Sequence, residues 1–377
     1  MQKPVGYNRQ RAAALMEKYN LDLMFVSSPL NVWYTTGLPM LHSAANPILE
    51  ALINKYPNLG LIRRDGKTTV LHWIGFMGES VEAFCWADDS VPLFSKDMVA
   101  DTLLETLVEM GADGCRVGLE ADAPVYVADA LRGSELGLQV QVCDELLNEL
   151  RLVKSEEEIA RLTRAAEITQ AVIGKCLGFL KEGVTDLELI QFARDEMLRQ
   201  GADDWNHFTI RFGDSDPEAP GTGRALQAGE IVRLDLGAVY KGYVADLNKH
   251  AVVGQADGEA KGIMDGLAKL QRYCEENIKP GVNMVELGET VYDWYDANVS
   301  YGSAYLLGHS IGLQVEDMHL FGTIGGADMV FEENMVFEIE TWENYKDSLM
   351  GVEDVYMVTK DGCKKLSSLT PDICEIP

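Results

Sequence analysis

Through the first part of the chain, short apolar runs alternate with segments that place apolar residues every third or fourth position. LDLMFV at 21–26, NLGLIRR at 58–64, TTVLHWI at 68–74, VPLF at 91–94, CRVGLE at 115–120 and LQVQVC at 138–143 read as strands. Residues 8–19, 98–111 and 124–134 carry helical periodicity. Strand alternating with helix predicts an α/β layer domain over residues 1–152. The next segment, RLVKSEEEIARLTRAAEI at 151–168, has the form of a capped helix start: Ser155 precedes Glu158 by three positions, and Ile159, Leu162 and Ala166 follow at helical spacing. A second domain, of α+β type, is therefore expected over 153–377. Within it KEGVTDLELIQFARDEMLRQG at 181–201 echoes KPGVNMVELGETVYDWYDANV at 279–299, with Gly, Val, Glu and Leu in register. A duplicated helix–strand unit would place a site between its two halves.

Two strand pairs in that domain carry carboxylates where apolar residues are expected. In LDLGAVYKGYVADL at 234–247, Asp235 and Asp246 are equidistant from the Tyr240–Lys241 bond. A hairpin folding back there, with Gly242 relieving the turn, would set them directly opposite each other. In MVFEIETWENYKDSLMGVEDVYMVT at 335–359, a turn between Lys346 and Asp347 sets Glu340 opposite Glu353, with Glu338 on the same face as Glu340. Facing carboxylates repel one another and are costly to bury unless a cation lies between them. Solvated acids on an exposed face would explain one such hairpin; two in one domain point to a shared site. His309, between Gly308 and Gly312 in LLGHSIGL, is the natural nitrogen ligand beside them. Four acids and an imidazole suit two divalent ions such as Mn²⁺, Co²⁺, Fe²⁺ or Zn²⁺, and a pair of such ions suits hydrolysis.

Charge narrows the partners. Sixty acidic residues against 32 basic ones give a formal net charge of −28, which argues against nucleic acid and anionic membrane surfaces. No apolar run approaches a membrane span, and the N-terminal twenty residues lack the apolar core of a signal peptide. Seven scattered cysteines, with no CxxC pair, read as reduced thiols of a cytoplasmic protein.

On these residues the sequence resembles the pita-bread metalloenzymes: methionine aminopeptidase, aminopeptidase P, prolidase and creatinase. SSPLNVWYTTG is similar to the Asn-x-x-Tyr-x-Thr-Gly signature of their N-terminal domain, and RLVKSEEEIARLTRAAEI to the linker of the prolidase branch. The resemblance implies a creatinase/prolidase-type N-terminal domain followed by a pita-bread catalytic domain. It implies that Asp235 binds one metal, that His309 and Glu340 bind the other, and that Asp246 and Glu353 bridge both. Manganese is the first expectation for the pair, with cobalt, iron or zinc as alternatives. It further implies a homodimer and a small peptide substrate.

The sequence departs from the family pattern around that cage. Where the peptidases carry a second histidine seven residues after the ligand histidine, this chain has Glu316, with His319 three further on. Where they carry a histidine ahead of the first ligand strand, it has Glu218, the nearby histidine being His207. The usual Glu-Pro-Gly is Glu340-Thr341-Trp342. Glu316 and Glu340 are thus candidate proton carriers, Glu316 competing with a plain surface role. Arg224, Arg211, His207 and His319 are candidate substrate contacts, with surface charge as the competing reading for the arginines. Trp205 and Trp342 are candidate pocket walls or packing. Two enzymatic functions follow: first an Xaa-Pro peptidase acting on small peptides, and as alternative a creatinase-like hydrolase or lyase acting on a small nitrogen- or sulfur-containing zwitterion. A non-catalytic binding domain is the third; a complete ligand set speaks against it.

Overall fold

The protein is seen here as a computed structural model that describes residues 3–39, 57–73, 79, 81–213, 221–299, 304–323, 325–346 and 348–377. Glu218, Ile74 and Asp347 lie outside the described residues. The chain divides into two compact units, Met1–Arg151 and Leu152–Pro377.

In the first unit, helix α1 (Arg9–Lys18) starts at Asn8, whose side chain accepts the Arg11 N–H, and buries Ala12, Leu15 and Met16. Strands β1 (Leu23–Val26), β2 (Leu59–Arg63), β3 (Thr68–Trp73), β4 (Asp89–Leu93), β5 (Arg116–Leu119) and β6 (Gln139–Val142) form one sheet in the order β4-β3-β2-β1-β5-β6. β1 runs antiparallel to β2 and parallel to β5. Helix α2 (Pro29–Thr36) carries the Asn-x-x-Tyr signature, capped by Ser28 and closed by Gly37 at φ 80°. Glu120, buried just past β5, explains part of that signature: it accepts from the Ser28 N–H at 2.9 Å and from Asn31 Nδ2 at 2.6 Å. Helices α3 (Val99–Glu109), α4 (Val125–Gly133) and α5 (Asp144–Leu152) complete the α/β layer.

The second unit opens with α6 (Glu156–Phe179). Both halves of its capping box form, Ser155 taking the Glu158 N–H and Glu158 taking the Ser155 N–H. Ser155→Ala is expected to lower stability by about 1 kcal/mol, read as a lower denaturant midpoint with unchanged slope.

α7 (Asp186–Arg199) and β7 (Asp204–Phe212) follow, then β8 (Ile231–Tyr240), β9 (Tyr243–Val244) and β10 (Leu247–Val253). The order repeats as α8 (Gly258–Asn277), α9 (Met284–Asn298), β11 (Tyr305–Ser310), β12 (His319–Gly322), β13 (Val336–Tyr345) and β14 (Ser348–Val358), closed by β15 (Cys363–Lys365) and β16 (Ile373–Ile376). The sequence echo falls on matching parts: Gly183 at φ 89° and Gly281 at φ 88° precede the Thr185 and Asn283 caps of α7 and α9. Two sheets result, β16-β10-β8-β7 with β9 beside β8, and β12-β11-β13-β14-β15. In each, the three strands around the candidate acids and histidine are antiparallel: β7·β8·β10 in one half, β11·β13·β14 in the other.

Alternation along these strands separates core from site. Val232, Leu234, Leu236 and Ala238 of β8 are buried on the face that α6 covers, while Arg233, Asp235 and Gly237 point the other way. Phe337 and Ile339 of β13 join a cluster with Phe321, Phe331 and Tyr356, whereas Glu338 and Glu340 share the opposite face. Among the described residues no helix is long and apolar enough to cross a membrane.

Candidate metal centre

The second hairpin folds in the expected register. Glu340 pairs with Glu353 across β13 and β14, and Tyr345 with Ser348 flank the turn. The first does not. Its turn is Lys241-Gly242, at φ 49° and 83°, the two left-handed residues that a two-residue type I′ loop demands. The centre therefore sits one residue later than the Tyr240–Lys241 bond. Asp235 consequently faces Asn248, and Leu236 faces Leu247, instead of Asp235 facing Asp246. Because the partner shifts by an even number of positions, Asp246 stays on the same sheet face, one diagonal step from Asp235. Regular pairing lapses at Ala245–Asp246, although the Ala245 N–H still donates to Ala238 O at 3.1 Å.

All five expected ligands converge. Asp235, Asp246, Glu353 and His309 are buried and Glu340 is half-buried. Among the described residues, three groups of possible donor atoms are compact enough to hold an ion: His207, Asp235 and Asp246; Asp246, His309 and Glu353; and His309, Glu316 and Glu340. Asp246 belongs to the first two and His309 to the last two. His309 Nε2 lies 3.6 Å from Glu353 Oε1. Burial pulls the His309 pKa down to about 4, keeping the ring neutral, as a metal ligand must be.

The electrostatics fit divalent cations. Burial, then the Asp235 and Asp246 charges, push the Glu340 carboxyl up to about 8; Glu353 is also held well above its ordinary range, by burial and by Asp246 and Glu340. Asp246 rises to about 6, chiefly through burial. Burial also opposes ionisation of Asp235, but Arg233 and His207 hold it below the usual range. Among the described residues, Asp246 Oδ1, His309 Nε2 and both oxygens of Glu338 have no hydrogen-bond partner. Buried acceptors gathered around His309 and Asp246 in this way favour a cation among them.

The sites of the other candidates differ. Glu316 is exposed at the rim, left-handed at φ 54°, with His319 Nε2 3.7 Å from its carboxylate. Such a backbone conformation costs a non-glycine residue about 1 kcal/mol or more and often marks a functional position. The loop that carries it is tied to the other sheet by the Val244 N–H, which donates to Gly312 O at 2.9 Å. Arg224 pairs with Glu230 and donates to Phe212 O at 2.8 Å, so its guanidinium is engaged at the base of its own loop. Arg211 is buried on the site face opposite Arg233, and its Nε and Nη2 have no hydrogen-bond partner among the described residues. Trp205 lies under the Arg194 guanidinium at 4.0 Å, and Trp342 stacks on Tyr305 at 4.4 Å. His207 stands over Gly237, with Nε2 3.1 Å from both Asp235 Oδ1 and Asp246 Oδ1. Burial alone would lower its pKa, but the two aspartates hold it well above the ordinary value.

Three participants were not singled out from the sequence. Arg233 Nη2 bonds Asp235 Oδ2 at 2.5 Å. His250 pairs with Arg233 in the ladder, and its Nε2 accepts the Gly351 N–H at 2.8 Å, joining the two sheets. Asn248 faces Asp235. Reading every second residue outward from Asp235 and Asp246 would have found all three.

Comparison with known proteins follows the same lines. Residues 160–360 match metallopeptidase family M24, and residues 8–153 the creatinase/prolidase N-terminal domain. The chain belongs to metallopeptidase family M24. It is 25% identical to an Xaa-Pro dipeptidase of Pyrococcus horikoshii over 360 residues, 93% of this chain and 94% of that one. An uncharacterized peptidase of Staphylococcus epidermidis is 30% identical over 234 residues, covering 60% and 66% of the two chains. In structure it superposes on a dipeptidase of Pyrococcus horikoshii with a TM-score of 0.82 at 20% identity, over 97% of this chain and 99% of the other. The prolidase of Pyrococcus furiosus gives 0.76 at 21% identity, over 95% and 99%. The M24 catalytic domain thus has the pita-bread fold, behind a creatinase/prolidase N-terminal domain.

Proposed function

We propose that this M24 protein is a dinuclear metal-dependent Xaa-Pro peptidase acting on small peptides. The observation that carries the reading is the convergence of Asp235, Asp246, His309, Glu340 and Glu353 from two hairpins, with shared members linking the donor groups into one centre. The relatives bear peptidase names, which favours this reading over one on a small zwitterion. When bound, two divalent ions supply Lewis-acid polarisation and an activated nucleophile at neutral pH. Asp235 would hold one ion, His309 and Glu340 the other, and Asp246 and Glu353 both.

The chain's own groups then divide the remaining work. Glu316, beside His309 and Glu340 yet open to solvent, takes the proton released on attack and returns it to the departing amide nitrogen. His319 orients it from 3.7 Å. The unpartnered donors of Arg211 receive a substrate carboxylate, a role for which Arg224 is less available. Manganese is the proposed activating metal, with cobalt, iron or zinc as substitutes. A homodimer belongs to the same reading, as does a reducing, cytoplasmic location, the latter supported by seven free cysteines.

The test is hydrolysis of Xaa-Pro dipeptides and Xaa-Pro-Yaa tripeptides by manganese-loaded protein. Cleavage is expected, and silence across the panel by protein that holds both ions overturns the reading. Glu316→Gln is expected to lower kcat by about 10²- to 10⁴-fold with metal content unchanged. An unaltered kcat would return Glu316 to the surface.

A further inference from the structure

His207 sits where a single hydrogen bond cannot account for it. Its Nε2 is 3.1 Å from Asp235 Oδ1 and 3.1 Å from Asp246 Oδ1, yet only the Asp235 contact has hydrogen-bond geometry, and Asp246 Oδ1 is left without a partner. Neighbouring donors around an ion with bonds of about 2.1 Å stand about 3 Å apart, so Nε2 has ligand spacing to both oxygens, and the three atoms lie within 4.8 Å of one another. Asp235 also has only one oxygen to offer there, because Oδ2 is bonded to Arg233. That end of the centre lacks a donor that a second aspartate oxygen would otherwise provide.

The backbone is shaped to bring the ring in. β7 bulges between Trp205 and His207, the kind of irregularity that re-aims a side chain beside a site. Opposite it stands Gly237, where a Cβ would come within 2.7 Å of His207 Cε1 and 2.5 Å of Ala245 O. Any side chain at 237 would displace the imidazole. Asn206 Nδ2 lies 2.9 Å from His207 Nδ1; with the amide flipped, its oxygen would accept Nδ1–H and leave the Nε2 lone pair for an ion.

The repeat points the same way. In the second half, the first strand of the antiparallel trio, β11, supplies His309, and β13 and β14 supply Glu340 and Glu353. In the first half, the corresponding strand β7 supplies His207, β8 supplies Asp235, and Asp246 stands at the entry to β10. Both histidines lie one diagonal step from the carboxylate of the middle strand.

From this we propose that His207 is a metal ligand through Nε2, giving the centre six protein ligands with one imidazole at each end. The proposal rests on the metal centre described above and extends it. The competing arrangement is an imidazolium that only neutralises the two aspartates and yields its place when ions bind.

Cobalt distinguishes the two. Isothermal titration of the full chain with Co²⁺ is expected to give two ions for the wild type. For His207→Ala it should give one ion, or a second that is about 10³-fold weaker or more, beyond the roughly 10- to 100-fold that loss of an outer partner costs. Two ions at unchanged affinity in the variant overturn the proposal. A measurement on the wild type alone covers the case of a variant that does not fold. X-ray absorption of the cobalt-loaded protein should show outer-shell scattering from about one imidazole per ion, and about half that value overturns the proposal. Both readouts are independent of turnover. Protein that passes them but cleaves no Xaa-Pro peptide keeps the ligand and loses the peptidase reading; cleavage with His309 as sole imidazole does the reverse.

Discussion

Asp246→Asn is expected to abolish measurable peptide hydrolysis and to cut bound metal together with it. Asp246 belongs both to the His207–Asp235 group and to the His309–Glu353 group of donors, so the substitution weakens both ions' surroundings at once. Asparagine keeps the shape but removes a charge and one acceptor oxygen. Loss of an outer partner of a ligand already costs about 10- to 100-fold, so losing a shared ligand should exceed about 10³-fold in kcat/KM. Turnover measured beside elemental analysis of the dialysed protein checks this. Full activity with two ions retained would remove Asp246 from the centre.

Chelation should be the most damaging treatment for the fold itself, and its effect should depend on pH. In the metal-free protein, burial and mutual repulsion raise the Asp246 carboxyl to about 6 and that of Glu340 to about 8, above the ordinary carboxylate range they take when unfolded. The native state therefore binds more protons than the unfolded one across that interval, and stability falls as pH rises through it. Ion binding acts oppositely, since it requires the ionised carboxylates and strengthens as they lose their protons. The gap in Tm between loaded and chelated protein is thus expected to widen from about pH 5 to about pH 8. Each ion at 100 times its Kd adds about 2.7 kcal/mol. Calorimetry on both forms across that range tests it, and a gap independent of pH would show that these carboxylates do not carry the binding.

How much of the centre was legible in the sequence depended on the turns. Around Lys346, equal spacing of the acids located both the turn and the Glu340–Glu353 pair. Around Gly242 the same reasoning missed the register, because spacing of the acids says nothing about which two residues must be left-handed. Even spacing nevertheless kept Asp235 and Asp246 on one face, which is why the two candidate ligands still converge despite the wrong partner. The helix start at Ser155 was legible because a capping box is local. The place of His207 beside the two aspartates, and Arg233 altogether, were obscured for different reasons. A bulge breaks the strand periodicity around the first, and the second is an arginine in an apolar strand whose partner lies two residues away.

The Lys241-Gly242 loop also determines where the gene can change length. With that turn kept, a residue inserted between Tyr243 and Asp246 would swap the faces of the strand that follows, sending Asp246 toward the core and Leu247 toward the candidate metal site. Most surface loops absorb such an insertion at small thermodynamic expense. In that strand, a single added codon would leave a recognisable M24 sequence with every candidate ligand still encoded, and one of them on the wrong side of the sheet.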